Sequence, residues 1–227
     1  MGKCLVIICV LLVIVVLATT TKASATLISL NDPKFGNGSF TVDTVTGLQW
    51  LDLSLTLNQS MNYIKANSGT GDTYNGLRYA TQGELETFIA DAGISPVIGA
   101  SIDKTRYDAV KNLLEYIGYA PGYSDPSVGT LIIYGITGTG PVNRDDQYII
   151  AYLYLPPSDL PVNYNSIVNI GTSVDGIFMN SDSHGDATGN FLVRDTDVSP
   201  TPEPCTFLLL GAGLAGTGFL RKRMRLS

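Results

Sequence analysis

Two long apolar runs lie near the two ends of this chain, and shorter patterns fill the stretch between them. The first run, Cys4 to Ala18, follows a lysine and precedes an Ala-Ser-Ala triplet at residues 23–25. A basic start, an apolar stretch and a small-residue cleavage site are typical of a secretory signal peptide. The sequence therefore predicts that residues 1–25 form a signal helix, which is recognised by the export machinery and removed.

The second run, Thr206 to Leu220, carries no charged residue. At about 1.5 Å per residue it reaches about 22 Å as a helix, less than the ~30 Å of a bilayer core. A basic cluster follows it, made of Arg221, Lys222, Arg223 and Arg225. Basic residues beside an apolar segment keep that end on the cytoplasmic side. We therefore expect a short hydrophobic helix that anchors the chain in the membrane, with the preceding residues outside.

Between the two runs, the first pattern is alternation. Apolar and polar residues alternate in 39–44 and again in 48–53, and a turn that contains Gly47 joins the two segments. This pattern is typical of a β-hairpin. Leu57, Met61 and Ile64 then recur at helical spacing, and Asn67 ends that pattern.

Two further helices are well marked. Thr81 and Glu84 form a capping box that opens a helix ending at Gly93, and a third helix is expected over residues 103–117. Strand-like segments dominate afterwards: residues 130–137, 147–155, 167–170, 176–179 and 191–194. Helices in the first half and strands in the second predict one α+β domain with a mixed or antiparallel sheet.

Charge narrows the choice of partner for this domain. Residues 26–199 contain eight Lys and Arg against 19 Asp and Glu, a net charge of −11. Such a surface repels phosphate backbones, so nucleic acid is excluded as a partner, whereas calcium or a neutral glycan is compatible. The three cysteines lie in the two terminal segments, so the domain has neither an internal disulfide nor a cysteine metal site.

The richest polar segment runs from Asp175 to Asp186. Asn180, Asp182, His184 and Asp186 alternate about Gly185, as ligands do in a calcium loop, although His is a poor ligand for a hard cation. The candidate ligand residues are Asp175, Asn180, Asp182 and Asp186. Residue 191, where an EF-hand needs Glu, is Phe. An exposed turn-rich loop is therefore the favoured interpretation, and calcium is the one cofactor left open.

We expect structural roles for the remaining candidate residues. Trp50, the only tryptophan, is expected in the core rather than as a sugar-stacking platform. Arg78 and Arg194 are expected to pair with acidic residues such as Glu84. Since His184 is the only histidine and no nucleophile elbow accompanies it, we expect a non-enzymatic protein. Neighbouring carboxylates at residues 145–146 and 195–197 leave an exported hydrolase as the alternative.

The chain's last segment resembles a known sorting signal. A proline-rich stretch with Pro202, Glu203 and Pro204, the short apolar run and the basic cluster follow the order of the PEP-CTERM motif of Gram-negative bacteria. The resemblance implies exosortase as a partner, cleavage near the motif, transient anchoring in the inner membrane, and delivery to the cell surface or exopolysaccharide matrix. The predicted organisation is thus a signal peptide (1–25), an extracytoplasmic domain (26–198) and a sorting tail (199–227).

Three blocks of the domain, residues 43–52, 76–85 and 189–194, resemble segments shared by many PEP-CTERM proteins and a degenerate Lcl C-terminal domain. That resemblance implies a C-type-lectin-like fold, in which the first and last strands meet. By analogy of fold, it implies a role in binding glycan or matrix, with a purely structural role as the rival interpretation.

Overall fold

The computed structural model describes residues 26–125, 130–142, 145–156, 164–174 and 177–196, which fall within one compact unit, Ser24–Thr196. The predicted signal helix, the sorting tail with Pro202, Glu203, Pro204 and its basic cluster, and Asp175 lie outside the described residues. Within the described ranges, no helix is long and apolar enough to cross a membrane.

The described residues form ten strands, three α-helices and one 3₁₀ helix. The strands are β1 (Leu27–Asp32), β2 (Gly36–Asp43), β3 (Leu48–Leu51), β4 (Arg78–Tyr79), β5 (Gly99–Ser101), β6 (Leu131–Ile136), β7 (Ile150–Leu155), β8 (Ser166–Gly171), β9 (Thr188–Asn190) and β10 (Leu192–Asp195). The helices are α1 (Met61–Ala66), α2 (Gln82–Asp91), α3 (Lys104–Ile117) and the 3₁₀ helix Leu53–Thr56. The α+β class is confirmed.

The strands form two five-stranded sheets instead of the single sheet expected. The first sheet has the order β1-β2-β3-β10-β4 and is antiparallel throughout. The second has the order β5-β8-β7-β6-β9, with one parallel pair, β6 and β9. The chain passes between the sheets at Phe191, whose amide donates to Ile136 O at 3.0 Å and whose carbonyl accepts from Ala80 N at 2.9 Å.

The largest hydrophobic cluster joins both sheets to α2 and α3. Trp50 is buried in it, with its ring stacked on Phe88 at 4.2 Å between centroids and edge-on to Phe191 at 6.3 Å. Trp50 also lies opposite Val193 in the β3–β10 register. The core assignment of Trp50 is therefore confirmed, as is the packing of its strand against the helix opened at Thr81 and the closing strand.

A buried polar network holds the chain segments around Asn190 together. The Tyr79 hydroxyl donates to Asn190 Oδ1 at 2.8 Å, and Asn190 Nδ2 donates to Gln59 O at 2.9 Å. Asn190 N donates to Thr56 Oγ1 at 2.7 Å. Burial raises the pKa of the Tyr79 phenol, so that side chain stays neutral and keeps its donor proton. Thr56 also donates through Oγ1 to Asn190 O and accepts through O from Asn190 Nδ2, both at 3.4 Å, so each polar group of this fully buried asparagine has a partner.

Local signals for helix ends are confirmed. Thr81 and Glu84 form the complete capping box at the start of α2. Asp103 caps α3 by accepting from Arg106 N at 2.8 Å, and that helix ends at Gly118, where φ is +82°. Only glycine adopts that angle without strain.

Several predicted boundaries are wrong, and each error has a physical reason. Leu57 precedes α1, because Ser60 accepts from Tyr63 N and starts the helix there. Leu53 opens a 3₁₀ helix because Asp52 caps it through Ser54 N at 2.8 Å. The stretch predicted as a strand at 176–179 shows only isolated bridges at Ile177 and nearby Asn180 in its described part. Strands also occur throughout the first half, so helices and strands are not segregated.

Candidate functional site

Both described ends of the domain lie at one turn of the first sheet. Thr26 exchanges hydrogen bonds with Thr44, and Thr196 N donates to Gly47 O at 3.3 Å. β3 starts at that turn and leads along the sheet to the 3₁₀ helix. Asn58, just after this helix, donates through its amide to Gly185 O at 3.0 Å. The described part of the candidate loop therefore lies at the pole of the first sheet opposite the described ends of the domain.

Asn180 uses its side chain inside the loop. Its Oδ1 accepts from Asp182 N at 3.0 Å and from Ser183 Oγ at 3.1 Å. The Ser183 hydroxyl in turn accepts from Asn180 N at 2.9 Å. Asn180 thus stabilises a tight polar turn, as Asn side chains commonly do.

Two residues distant in sequence fix this turn to the rest of the domain. Asn62, on α1, donates through Nδ2 to Asp182 Oδ1 at 2.7 Å and to Ser181 Oγ at 3.2 Å. Asp146 accepts from the amide of Ser181 at 3.2 Å and also from its hydroxyl. Asn62 was not predicted as part of this site, and the sequence pattern suggested Asp146 only as a hydrolytic carboxylate. Nothing in the local pattern marks either residue as a partner of the loop.

The remaining predicted loop residues are not gathered into one cluster. Asp186 and His184 are exposed, and His184 Nδ1 lies 2.9 Å from Asp182 O. The described parts of the chain contain no group of three or more His, Cys, Asp or Glu side chains placed to hold a metal ion. Asp175 lies outside the described residues, and calcium binding by this loop stays a prediction.

Exposed aromatic side chains flank the loop. Phe178, in the loop itself, is 56% exposed, and Tyr63, next to Asn62 on α1, is 53% exposed. We call residues 177–186 together with α1 the loop surface. It combines carboxylate, amide and hydroxyl groups with exposed aromatic rings.

The two predicted arginine pairs are structural contacts. Arg78 binds Glu84 through two hydrogen bonds of 2.9 and 2.7 Å, and these bonds lower the pKa of Glu84 to about 2. Arg194 lies 2.9 Å from Asp32, and its guanidinium stacks over the Phe40 ring at 3.9 Å. Both arginines therefore stabilise the first sheet, as expected.

Two buried ionisable groups were not predicted from the sequence. Arg106 is buried and donates to Pro96 O, Gly99 O and Ser166 O at 3.0, 2.8 and 2.9 Å. Desolvation lowers its pKa. All three acceptors are backbone carbonyls, and each lies in a segment that periodicity cannot connect to α3.

The second missed group is a carboxyl pair. Asp43 is buried in the hairpin turn, where it accepts from Val45 N at 2.9 Å and from Thr46 Oγ1 at 2.6 Å. Desolvation, and then the neighbouring Asp43, raise the pKa of Asp91. One oxygen of Asp91, Oδ2, is buried without a hydrogen-bond partner.

Comparison with known proteins identifies the last segment of the chain. The family model described as the PEP-CTERM protein-sorting motif matches residues 200–223, which include Pro202, Glu203, Pro204 and the first basic residues of the cluster. The chain therefore has the sorting signal of an exported protein that an exosortase processes. The chain contains a PEP-CTERM protein-sorting motif.

The match covers the sorting tail and does not extend into the folded domain. No curated protein and no solved structure gives a significant match to the chain. In the first sheet, β1 and β10 are separated by β2 and β3. The likeness of the domain to Lcl and C-type-lectin-like folds stays a prediction.

Proposed function

We propose that the folded domain is a non-catalytic component of the cell surface or extracellular matrix, and that it binds neutral glycan through the loop surface. The sorting motif at residues 200–223 carries this proposal, because it directs the chain to export and processing. A lectin-like relationship of the domain belongs to the same proposal and supplies no independent support.

The position of the loop surface supports the proposal. The chain continues toward the sorting tail from Thr196, which is bonded to Gly47 at the opposite pole of the first sheet. The loop surface therefore lies away from both described ends of the domain. Binding residues are commonly found on loops that a rigid scaffold positions.

The chemistry of the loop surface suits an uncharged polyhydroxyl ligand. Asp182 is an exposed carboxylate fixed by Asn62, and Phe178 and Tyr63 are exposed aromatic side chains of the same loop surface. Binding sites commonly combine a few convergent polar groups with aromatic surface. The net charge of −11 across residues 26–199 opposes anionic polymers, so a neutral glycan is favoured.

Affinity electrophoresis of residues 26–196 through gels that contain dextran, amylose or soluble cellulose tests this function. Both sheets and all three hydrophobic clusters lie within those residues. We expect retardation in at least one polymer, and a marked loss of retardation in Phe178→Ala and Asp182→Ala. Tyr123→Ala is the matched control, because that ring is equally exposed outside the loop surface. Absence of retardation in every polymer, or an equal loss in the control, would contradict the proposal.

Calcium dependence and catalysis need separate measurements. If calcium binds the loop, its addition raises the melting temperature, because a ligand of the native state stabilises it by RT ln(1 + [L]/Kd). Asp182→Ala should then abolish the shift. The rival interpretation, an exported hydrolase, requires turnover of a glycosidase, esterase or protease substrate. Activity that disappears in His184→Ala would favour that rival.

A further inference from the structure

The chain contains two Asn-Gly pairs, Asn37-Gly38 and Asn75-Gly76, and the fold holds them in different ways. An asparagine followed by glycine can modify itself, because the next backbone nitrogen can attack the side-chain amide carbon. Glycine favours this reaction because it has no side chain to block the approach and its backbone is conformationally permissive. The reaction therefore depends on exposure of the asparagine, on a free glycine amide, and on space for the ring that forms.

The pair Asn75-Gly76 meets all three conditions. Both residues are exposed, and they form the centre of a turn in which Leu77 N donates to Tyr74 O at 3.0 Å. Among the described residues, none accepts a hydrogen bond from the Gly76 amide or binds the Asn75 side chain. A Cβ built on Gly76 would meet no atom within 4 Å. The Asn75 side chain can therefore turn toward the Gly76 nitrogen without breaking a contact.

This turn is anchored to the domain, so Asn75 is presented at the surface of the folded protein. Tyr74, just before it, is buried, and its hydroxyl donates to Gln59 Oε1 at 2.5 Å. Gly76 has φ of +82° at the third position of the turn, an angle that glycine adopts without strain. The reaction at Asn75 therefore requires no unfolding of the domain.

The pair Asn37-Gly38 is exposed at Asn37 but is held at its glycine. Gly38 N donates to Asn31 Oδ1 at 2.8 Å, across the hairpin of β1 and β2. A Cβ built on Gly38 would lie 3.3 Å from Ser29 Oγ, so the neighbouring strand packs against this position. The Gly38 nitrogen can react only after the hairpin opens locally, and local opening costs free energy.

We propose that Asn75 is a site of spontaneous modification in the folded domain, at which its amide becomes a carboxylate, whereas the fold protects Asn37. In the first step, the Gly76 nitrogen gives up its proton to solvent and bonds to Asn75 Cγ. The Cγ–Nδ2 bond then breaks, Nδ2 takes a proton from solvent, and ammonia leaves. The product of this step is a five-membered cyclic imide.

Water completes the reaction by adding to one of the two ring carbonyls. Addition at Cγ restores the ordinary backbone and leaves an aspartyl side chain. Addition at the main-chain carbon leaves an isoaspartyl linkage. Neither step oxidises or reduces any atom, and water is the only co-reactant. Both products add a negative charge at position 75, and the isoaspartyl form adds a backbone carbon to the turn that leads into β4.

Peptide mapping by mass spectrometry of residues 26–196 tests the proposal, after incubation in mildly alkaline buffer made with heavy-oxygen water. Incorporated heavy oxygen marks modification that occurs during the incubation. We expect modification at Asn75 to be at least about fivefold faster than at Asn37, since a typical intramolecular hydrogen bond such as that of Gly38 contributes about this factor. In urea, which removes the structural difference between the two pairs, the two rates should become similar.

Two matched variants locate the reaction. Asn75→Gln should abolish modification at this turn, because the longer side chain would have to close a larger ring, and Asn37→Gln should leave the rate at Asn75 unchanged. Both side chains are exposed, so both variants should keep the wild-type melting temperature.

Three results would overturn the proposal: equal rates at the two asparagines in the folded domain, a rate difference that persists in urea, or an unmodified Asn75 under conditions that modify the unfolded chain. This inference does not depend on glycan binding, because Asn75 is not part of the loop surface.

Discussion

Replacing Trp50 by alanine tests the described core most sharply. The indole lies on Phe88 at 4.2 Å between ring centroids and meets Phe191 edge-on at 6.3 Å. Because Phe191 is the point where the chain passes between the two sheets, the substitution removes a contact shared by both sheets and α2. We therefore expect a large loss of stability from this one change.

The size of the effect follows from burial. Replacing a buried aromatic residue by alanine costs about 3–5 kcal/mol of unfolding free energy. For a domain of this size, each kcal/mol lowers the melting temperature by about 2–4 °C, so Trp50→Ala should lower it by about 6–20 °C.

A second substitution separates packing from polarity. Trp50 Nε1 is buried without a hydrogen-bond partner, which costs the native state about 1–3 kcal/mol. Trp50→Phe keeps an aromatic ring on Phe88 and removes this unpaired donor, so it should lose less than half as much stability as Trp50→Ala. Circular dichroism melts of residues 26–196 measure both variants. A shift below about 2 °C in Trp50→Ala would refute the core assignment and make a ligand platform the better interpretation of this residue.

The remaining stability predictions concern three ionisable groups. Arg106→Ala should cost about 1–3 kcal/mol in chemical denaturation, because it leaves the buried Ser166 carbonyl without this donor. Arg106→Lys should restore only part of that loss, because one ammonium group cannot reproduce the planar fork that also binds Pro96 O and Gly99 O. Because the folded-state pKa of Glu84 is lowered to about 2 by Arg78, its contribution to stability is present above pH 4.5 and is lost as pH falls toward 2. Glu84→Gln should flatten that part of a melting temperature against pH profile, modestly, since the ion pair is partly solvated. The raised pKa of Asp91 means that its ionised form destabilises the fold. Asp91→Asn, whose amide can donate to Asp43, should therefore raise the melting temperature at pH 7, and this gain should shrink as pH falls toward 3.8. A lower melting temperature of this variant at pH 7 would contradict the prediction.

The parts of the fold that short-range signals determine were predictable. The capping box of Thr81 and Glu84 and the stop at Gly118 involve residues within a few positions of each other, so the ends of α2 and α3 could be located. The single tryptophan could be placed in the core because burial of an indole dominates local packing.

Short strands could not be predicted in the same way. β5 and β9 are three residues each, and each exists because a strand distant in sequence pairs with it. Alternation over three residues is too short to distinguish from a loop. The division into two sheets depends on this missing information, and so does the crossing at Phe191.

The candidate site shows the same limit. The loop from Asp175 to Asp186 was recognisable by its composition, whereas the partners that fix it, Asn62 and Asp146, are 120 and 35 positions away from the residues they bind. Only the fold brings them together. The sorting tail is the opposite case, because a processing enzyme reads a contiguous motif and the sequence alone identified it.

We propose that two processing events release this domain outside the cell, namely removal of residues 1–25 and cleavage at the sorting motif. Intact-mass spectrometry of the protein from its native host, with peptide mapping of both ends, measures this directly. We predict a mature chain that begins at Thr26 and ends near Pro202-Glu203-Pro204, without the apolar segment 206–220. A mature mass that still contains residues 206–227 would contradict it.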